Sequence, residues 1–296
     1  MSELSQFVVS IPLVTRSMTL TSLVMSGFNA LNIVPITTFI SDFPTIWKKL
    51  ELYRLLTGFL IPNPQAMQGM MEIYMMYSFS RGIEEGKFKK NLPDYLYYLG
   101  IVLPTILVGV FLSMPPLYSL SPALLSALTF TWSVHNYSEQ VNFYFMPIRA
   151  SLLPPVSLGF RLLVDGQTSF FLSLIGTGAA YVYNCLETHS YGPLVSIITG
   201  KQPEIDRSNS RLGTVYTSTQ TWFYSTGFLE APEWLVRVVS RLTGTDYTSP
   251  IYNRRGFAVK RRESGGSGPN NFSGRTTGKS TATFRGEGRR LGTSSN

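Results

Sequence analysis

Tyr95-Leu96-Tyr97-Tyr98-Leu99-Gly100-Ile101-Val102-Leu103-Pro104-Thr105-Ile106-Leu107-Val108-Gly109-Val110-Phe111-Leu112 contains no charged residue. A helix that crosses hydrocarbon needs roughly 20 mostly apolar residues. This stretch meets that need almost alone, and it fixes the class of the chain. Outward from it, five further apolar runs predict spans over residues 17–36, 66–82, 117–134, 150–163 and 168–186. The sequence therefore predicts an all-α polytopic membrane protein with six transmembrane helices. Several runs are short or carry Pro104, Pro122, Pro154 or Pro155. Short spans imply mismatch with a bilayer of ordinary thickness, met by local thinning or by tilt.

Residues 38–65 hold Asp42, Lys48, Lys49, Glu51 and Arg54 among aromatic and apolar side chains. That is too charged to span simply, and it reads as an interfacial segment. Charge is scarce overall, at 14% of residues, and unevenly placed. Residues 1–187 carry ten Lys/Arg and ten Asp/Glu, whereas residues 188–296 carry fifteen and seven, so the C-terminal part holds the whole +8. Arg81, Lys87, Lys89 and Lys90 share a side with that basic part, which places both termini in the cytosol. Asn136 and Asn271 begin acceptor sequons on that side and are expected to carry no glycan. Cys185, the single cysteine, excludes an intramolecular disulfide and reads as a packing residue. The N-terminus shows no removable signal, so the first span is expected to direct insertion.

The division expected is 1–200 as the membrane domain, 201–250 as a cytosolic segment, and 251–296 as a disordered basic tail. Within the middle segment, residues 231–243 read as an amphipathic helix, with Pro232 and Glu233 in its first turn and Gly244 as its stop. That helix could lie on the cytosolic leaflet or pack against the membrane body. In the tail, Phe284-Arg285-Gly286-Glu287-Gly288-Arg289-Arg290-Leu291-Gly292 sets two apolar anchors among glycines and arginines. Such a segment cannot bury itself and reads as a docking peptide.

Four stretches of the body carry a family resemblance. Ile11-Pro12-Leu13-Val14-Thr15-Arg16, Glu51-Leu52-Tyr53-Arg54-Leu55-Leu56-Thr57, Glu84-Glu85-Gly86-Lys87-Phe88, and Gly176-Thr177-Gly178-Ala179-Ala180-Tyr181 with Glu187 follow one another along the chain. In that order they resemble the derlins, rhomboid-like proteins of the endoplasmic reticulum, over about residues 8–200. The tail peptide resembles the box of a fungal derlin branch that docks the valosin-containing AAA+ ATPase. Phe284, Gly286, Gly288, Arg290, Leu291 and Gly292 are its implied contacts. Phe272 begins a degenerate second copy. The family's usual tryptophan before Arg54 is Tyr53 here, which keeps an apolar ring and a polar tip at an interface.

Rhomboid proteases need a serine in a Gly-x-Ser-Gly turn on the fourth span and a histidine on the sixth, within hydrogen-bond reach. Residues 121–136 hold no glycine, Tyr181 stands near the place of the sixth-span histidine, and His135 and His189 fall at boundaries. The reading is a pseudoprotease. Glu72 is the costliest residue in the body, because an unpartnered acid in mid-membrane costs about 2.5–3.5 kcal/mol. It lines a polar groove for client polypeptide or makes a structural hydrogen bond to another span. Gln140, Asn142, Arg149 and Ser151 could extend such a groove. Gly176 and Ala180, four apart, permit close helix approach. Met67, Met70, Met71, Met75 and Met76 make a soft surface, open to a client or to filling.

The resemblance implies a non-catalytic factor in degradation of misfolded membrane or lumenal proteins. Tyr53, Arg54, Glu72, Gly176 and Ala180 are the body's candidate residues. The expected partners are the ATPase, misfolded clients, ubiquitin-ligase complexes of the endoplasmic reticulum, membrane lipids, and other copies of this chain or its relatives. No cofactor and no nucleic acid is expected. The alternatives are a membrane scaffold that regulates lipid-metabolic enzymes and, against the missing residues, an active rhomboid-type protease. A transporter is disfavoured because no inverted repeat is visible.

Overall fold

The computed structural model describes residues 10–31, 33, 39–42, 51, 53–113, 117–137, 139–143, 146–188, 229, 231–245 and 247. All belong to one compact unit, Met1–Gly256. The elements in order are α1 Leu13–Ala30, β1 Ser41–Asp42, α2 Tyr53–Thr57, α3 Ala66–Gly82, a π-helical turn Ile83–Lys87, α4 Leu92–Ser113, β2 Leu117–Tyr118, α5 Ser121–His135, β3 Gln140–Phe143, β4 Met146–Arg149, a 3-10 turn Ala150–Leu152, α6 Leu153–Val164, α7 Gly166–Thr188 and α8 Glu233–Thr243.

The long helices fall where the apolar runs do, with informative shifts at their ends. α1 starts at Leu13 rather than 17, behind Pro12 as its N-cap. α5 starts at Ser121 rather than 117, with Pro122 in the first turn where a missing N–H costs nothing. Leu117 and Tyr118 instead pair with Asp42 and Ser41 as an antiparallel ladder. A second ladder joins Gln140–Phe143 to Met146–Arg149. The body is therefore mostly helical, with two small antiparallel strand pairs beside the expected helices. Gln140, Asn142 and Arg149 are exposed on the second pair, so the polar entry expected there is a solvated ladder.

α5 is the axis of the bundle. Every residue from Ser121 to Ser133 is buried, with α7 as its most extensive partner and α3 and α6 also against it. Among the described residues, α4 and α7 are the two helices long and apolar enough to cross a membrane by length and composition. The turn into α7 uses Gly166 at φ +83°, a left-handed conformation that a side chain would oppose.

The outer helices reverse the pattern of a water-soluble bundle. α1 buries Thr15 and Ser22 while Leu20, Leu23, Val24 and Phe28 are exposed. α3 buries Glu72 and Ser80 and exposes Met67, Met70 and Tyr74. α6 buries Ser157 and Arg161 and exposes Leu162 and Leu163. Water would penalise such an exterior at about 25 cal/mol per Å² of apolar surface. Hydrocarbon imposes no such cost, and in it helices pack through small and polar residues. The methionine run divides on the same principle, with Met75 and Met76 in the core and Met67 and Met70 outside.

Candidate functional site

One end of the bundle gathers the start of α1, the π turn, the start of α4 and the last turns of α7. Glu84 is placed by the π turn beneath the N-terminus of α1. Its carboxylate accepts from the Val14 N–H at 3.3 Å, the Thr15 N–H at 3.0 Å and the Thr15 hydroxyl at 2.7 Å. The first N–H groups of a helix lack intrahelical acceptors, and an acid at that end also meets the positive end of the helix dipole. Glu84 thus caps α1 from another segment. The network continues from Thr15 Oγ1 to Ser80 Oγ at 2.9 Å and from Ser80 Oγ to Tyr95 Oη at 2.7 Å. Burial pushes the Glu84 carboxyl up from its ordinary value, and the hydrogen bonds from Thr15 and Val14 oppose that shift.

Lys87, three residues on, donates to Glu187 Oε2 at 2.6 Å and reaches Asn184 Oδ1 at 3.5 Å. Its ammonium also stands 5.0 Å from the Tyr183 ring centroid. Phe88 is fully buried, 5.4 Å from the Tyr95 ring and 5.7 Å from the Tyr98 ring. The backbone turns away through Lys89 and Lys90, both at positive φ, while the Lys90 N–H returns to the Glu84 carbonyl at 2.7 Å. Three short sequence motifs, at 11–16, 84–88 and 185–188, thereby become one physical cluster.

The opposite end gathers the starts of α3, α5 and α7 and the end of α6. Glu72 is buried, and Oε1 meets Arg161 Nη1 at 3.2 Å. Its second oxygen accepts from the Asn63 N–H at 2.9 Å and from Ser121 Oγ at 3.4 Å. Arg161 also faces Asp165 at 3.4 Å. Burial raises the Asp165 carboxyl from its ordinary value and Arg161 opposes the rise. Glu72 therefore has a cationic partner on another helix. The sequence did not single out Arg161 as a site residue. Its spacing of four from Asp165, together with an unpartnered acid elsewhere, was the available signal.

Between the ends runs the α5–α7 seam. A Cβ on Gly176 would lie 1.9 Å from the Ala123 carbonyl oxygen, so only glycine fits. Ala180 is fully buried on the same face. Tyr98 crosses the seam, with its hydroxyl 2.9 Å from Thr131 Oγ1 and its ring edge-on to Tyr183 at 4.7 Å. Ser126 of α5 is buried without a hydrogen-bond partner and lines a small cavity with Met75, Thr129, Ser157, Phe160 and Arg161. No imidazole lines that cavity, and the sequence of α7 contains no histidine. Among the described residues no group of His, Cys, Asp and Glu is arranged to hold a metal ion.

Tyr53 and Arg54 open α2. Arg54 pairs with Glu51 and reaches the Ile40 carbonyl at 3.5 Å, while Tyr53 is half exposed. Their segment is tied to the start of α5 by the Leu120 N–H on the Gly58 carbonyl at 2.8 Å and by Ser119 Oγ on the Ile61 carbonyl at 2.7 Å. α8 spans Glu233–Thr243, two residues shorter at its start than the sequence suggests. It packs against α4 through buried Val239. The Ala231 N–H donates to Asp94 Oδ1 at 2.9 Å, and Asn91 Nδ2 holds the other oxygen at 2.8 Å. The docking peptide, with Phe284, Gly286, Gly288, Arg290, Leu291 and Gly292, lies outside the described residues, as does His189.

A helical bundle with polar ends and an apolar exterior defines a membrane protein. Comparison with known proteins gives its kind: the model of the Der1-like family matches residues 11–202. The chain belongs to the Der1-like, or derlin, family. It is 29% identical over 301 residues to DER1-like family member protein 1 of Saccharomyces cerevisiae, covering 97% of this chain and 79% of that one. It is also 25% identical over 215 residues to Derlin-1.1 of Zea mays, covering 71% of this chain and 74% of the relative. Derlin-1 of Drosophila melanogaster is 25% identical over 178 residues, covering 59% and 71%. The family comprises rhomboid-like, non-catalytic membrane proteins linked to the endoplasmic reticulum and to protein degradation there.

Proposed function

We propose that this chain is a non-catalytic factor of endoplasmic-reticulum-associated degradation that couples a bilayer-thinning body to an ATPase-docking tail. The observation that carries the reading is the union, on one chain, of a Der1-like body over residues 11–202 with the Phe284–Gly292 peptide. In this reading α1 and α3–α7 all cross the membrane and both termini are cytosolic. The end built on Glu84 and Lys87 then faces the cytosol, and the end built on Glu72 and Arg161 faces the lumen.

The short helices support thinning. α6 has twelve residues and α5 fifteen, which reach about 18 and 22 Å against a hydrocarbon core of about 30 Å. Lipid around them must compress, which lowers the barrier for a polypeptide crossing nearby. Clients meet this thinned rim, and ubiquitin-ligase complexes of the membrane deliver and mark them. The valosin-containing AAA+ ATPase, held by Phe284 and Leu291 with Arg290 beside them, supplies the pulling force. The absence of histidine from α7 supports a body that cuts nothing.

Recovery of the ATPase with the full-length protein, against Phe284→Ala and Leu291→Ala, tests the tail. Both variants should lose the ATPase while the protein stays in the membrane. Equal recovery would contradict the reading.

A further inference from the structure

α8 carries an apolar arc wider than its dock on α4 covers. Val239 is 4% exposed, and Leu235 and Val236 are half-buried. One row over, Trp234, Val238 and Leu242 stand one turn apart and are 64%, 47% and 81% exposed. At about 3.6 residues per turn this exposed row adjoins the docked row, rather than opposing it. Its other border is Arg241, also exposed. Arg237 pairs with Glu233 at 2.8 Å, and these two lie on the far, polar side of the helix.

Three sectors thus run around one short helix: protein contact, bare apolar surface edged by arginine, and polar surface. That order fits a helix lodged in the corner between a membrane-embedded wall and the bilayer surface. A helix lying wholly on a membrane would show two sectors, and one held only by protein would bury its tryptophan. We infer that α8 docks simultaneously on α4 and on an anionic phospholipid leaflet, with Trp234, Val238 and Leu242 in the interfacial layer and Arg241 reaching the phosphates. Charge complementarity supports lipid as the occupant, because Arg241 borders the bare row and its stem can lie along apolar surface while its head reaches phosphate. The Asp94 acceptor for the Ala231 N–H pins the helix start at the α4 end of this corner. The inference rests on the membrane orientation proposed above.

The test uses the full chain with Cys185→Ala, reconstituted in vesicles of phosphatidylcholine and phosphatidylserine. A nitroxide is attached in turn at Val238→Cys, Leu242→Cys and Glu233→Cys, with Val108→Cys on α4 as the membrane control. Labels at 238 and 242 should collide with oxygen in preference to a water-soluble nickel chelate, by a several-fold larger ratio than the label at 233. Adding Arg241→Glu should shift the label at 238 toward water in these vesicles and leave it unchanged in pure phosphatidylcholine. If the nickel chelate reaches 238 as freely as 233 while 108 stays protected, α8 does not touch the leaflet. Exclusion of both reagents at 238 would mean that protein, a second copy or a partner, covers the row, and would overturn the lipid assignment. If 108 itself is open to the chelate, the orientation behind the inference fails first, and the inference with it.

Discussion

The two ends of the bundle hold the same costly group, a buried glutamate, in different ways. Glu84 is held by N–H groups and a hydroxyl of α1, backed by the Thr15–Ser80–Tyr95 network. Glu72 is held by the guanidinium of Arg161, with Asp165 on the same cation. Neutral donors tolerate loss of the charge, whereas an ion pair does not tolerate loss of one member. The first end is built to position a helix terminus. The second ties together helices that are otherwise joined by small and apolar contacts.

The largest expected effect separates the ends. Arg161→Met strands Glu72 in the interior and should destabilise the body by about 3–5 kcal/mol. Unfolding in mixed micelles measures this, and Arg161→Met with Glu72→Met should regain much of the loss. A single and a double variant of equal stability would show that the pair is not coupled. Gly176→Ala belongs to neither end and sets the scale of the seam. Its Cβ meets a backbone oxygen at 1.9 Å, so helix separation should cost at least about 1–3 kcal/mol and lower the midpoint in the same assay.

Glu84→Gln should cost less, about 1–2 kcal/mol, because one amide oxygen still accepts from α1. Its signature is in pH. The Glu84 carboxyl is raised by burial in the folded state, so its favourable contribution is complete below 4.5 and fades as pH rises through the folded value. The deficit of Glu84→Gln against the parent should therefore shrink as pH rises from mild acid toward neutrality. A deficit independent of pH would show that Glu84 is not the titrating group. Tyr95→Phe removes one hydroxyl from the chain of hydrogen bonds and should cost about 1 kcal/mol, the smallest change of the set.

Much of this was legible in the sequence. Apolar runs located the long helices because a helix that faces the bundle's interior or hydrocarbon carries few charges. The resemblance read across 11–16, 84–88 and 176–188 agrees with the family match, and the structure supplies the reason for the outer motifs: Glu84, Lys87, Phe88 and Glu187 occupy one cluster. Helix starts were less legible. Hydropathy cannot register that α1 begins four residues early because an acid seventy residues away caps it. Arg161 was not legible as a site residue, because a cation beside an apolar run looks like a loop charge until its partner on α3 is known. The closeness of α5 and α7 was visible only as a small-residue pair at 176 and 180, with no indication that Ala123 was the surface approached.

In the proposed reading an uncleaving body is worked from outside through its tail. A chase of a misfolded multi-pass membrane protein in cells measures it most directly. With Phe284→Ala and Leu291→Ala combined, the client should persist in the membrane intact, whereas Ser126→Ala should leave its loss at the parental rate. Client loss unaffected by the tail variant, or a cleavage fragment that disappears with Ser126→Ala, would contradict the account.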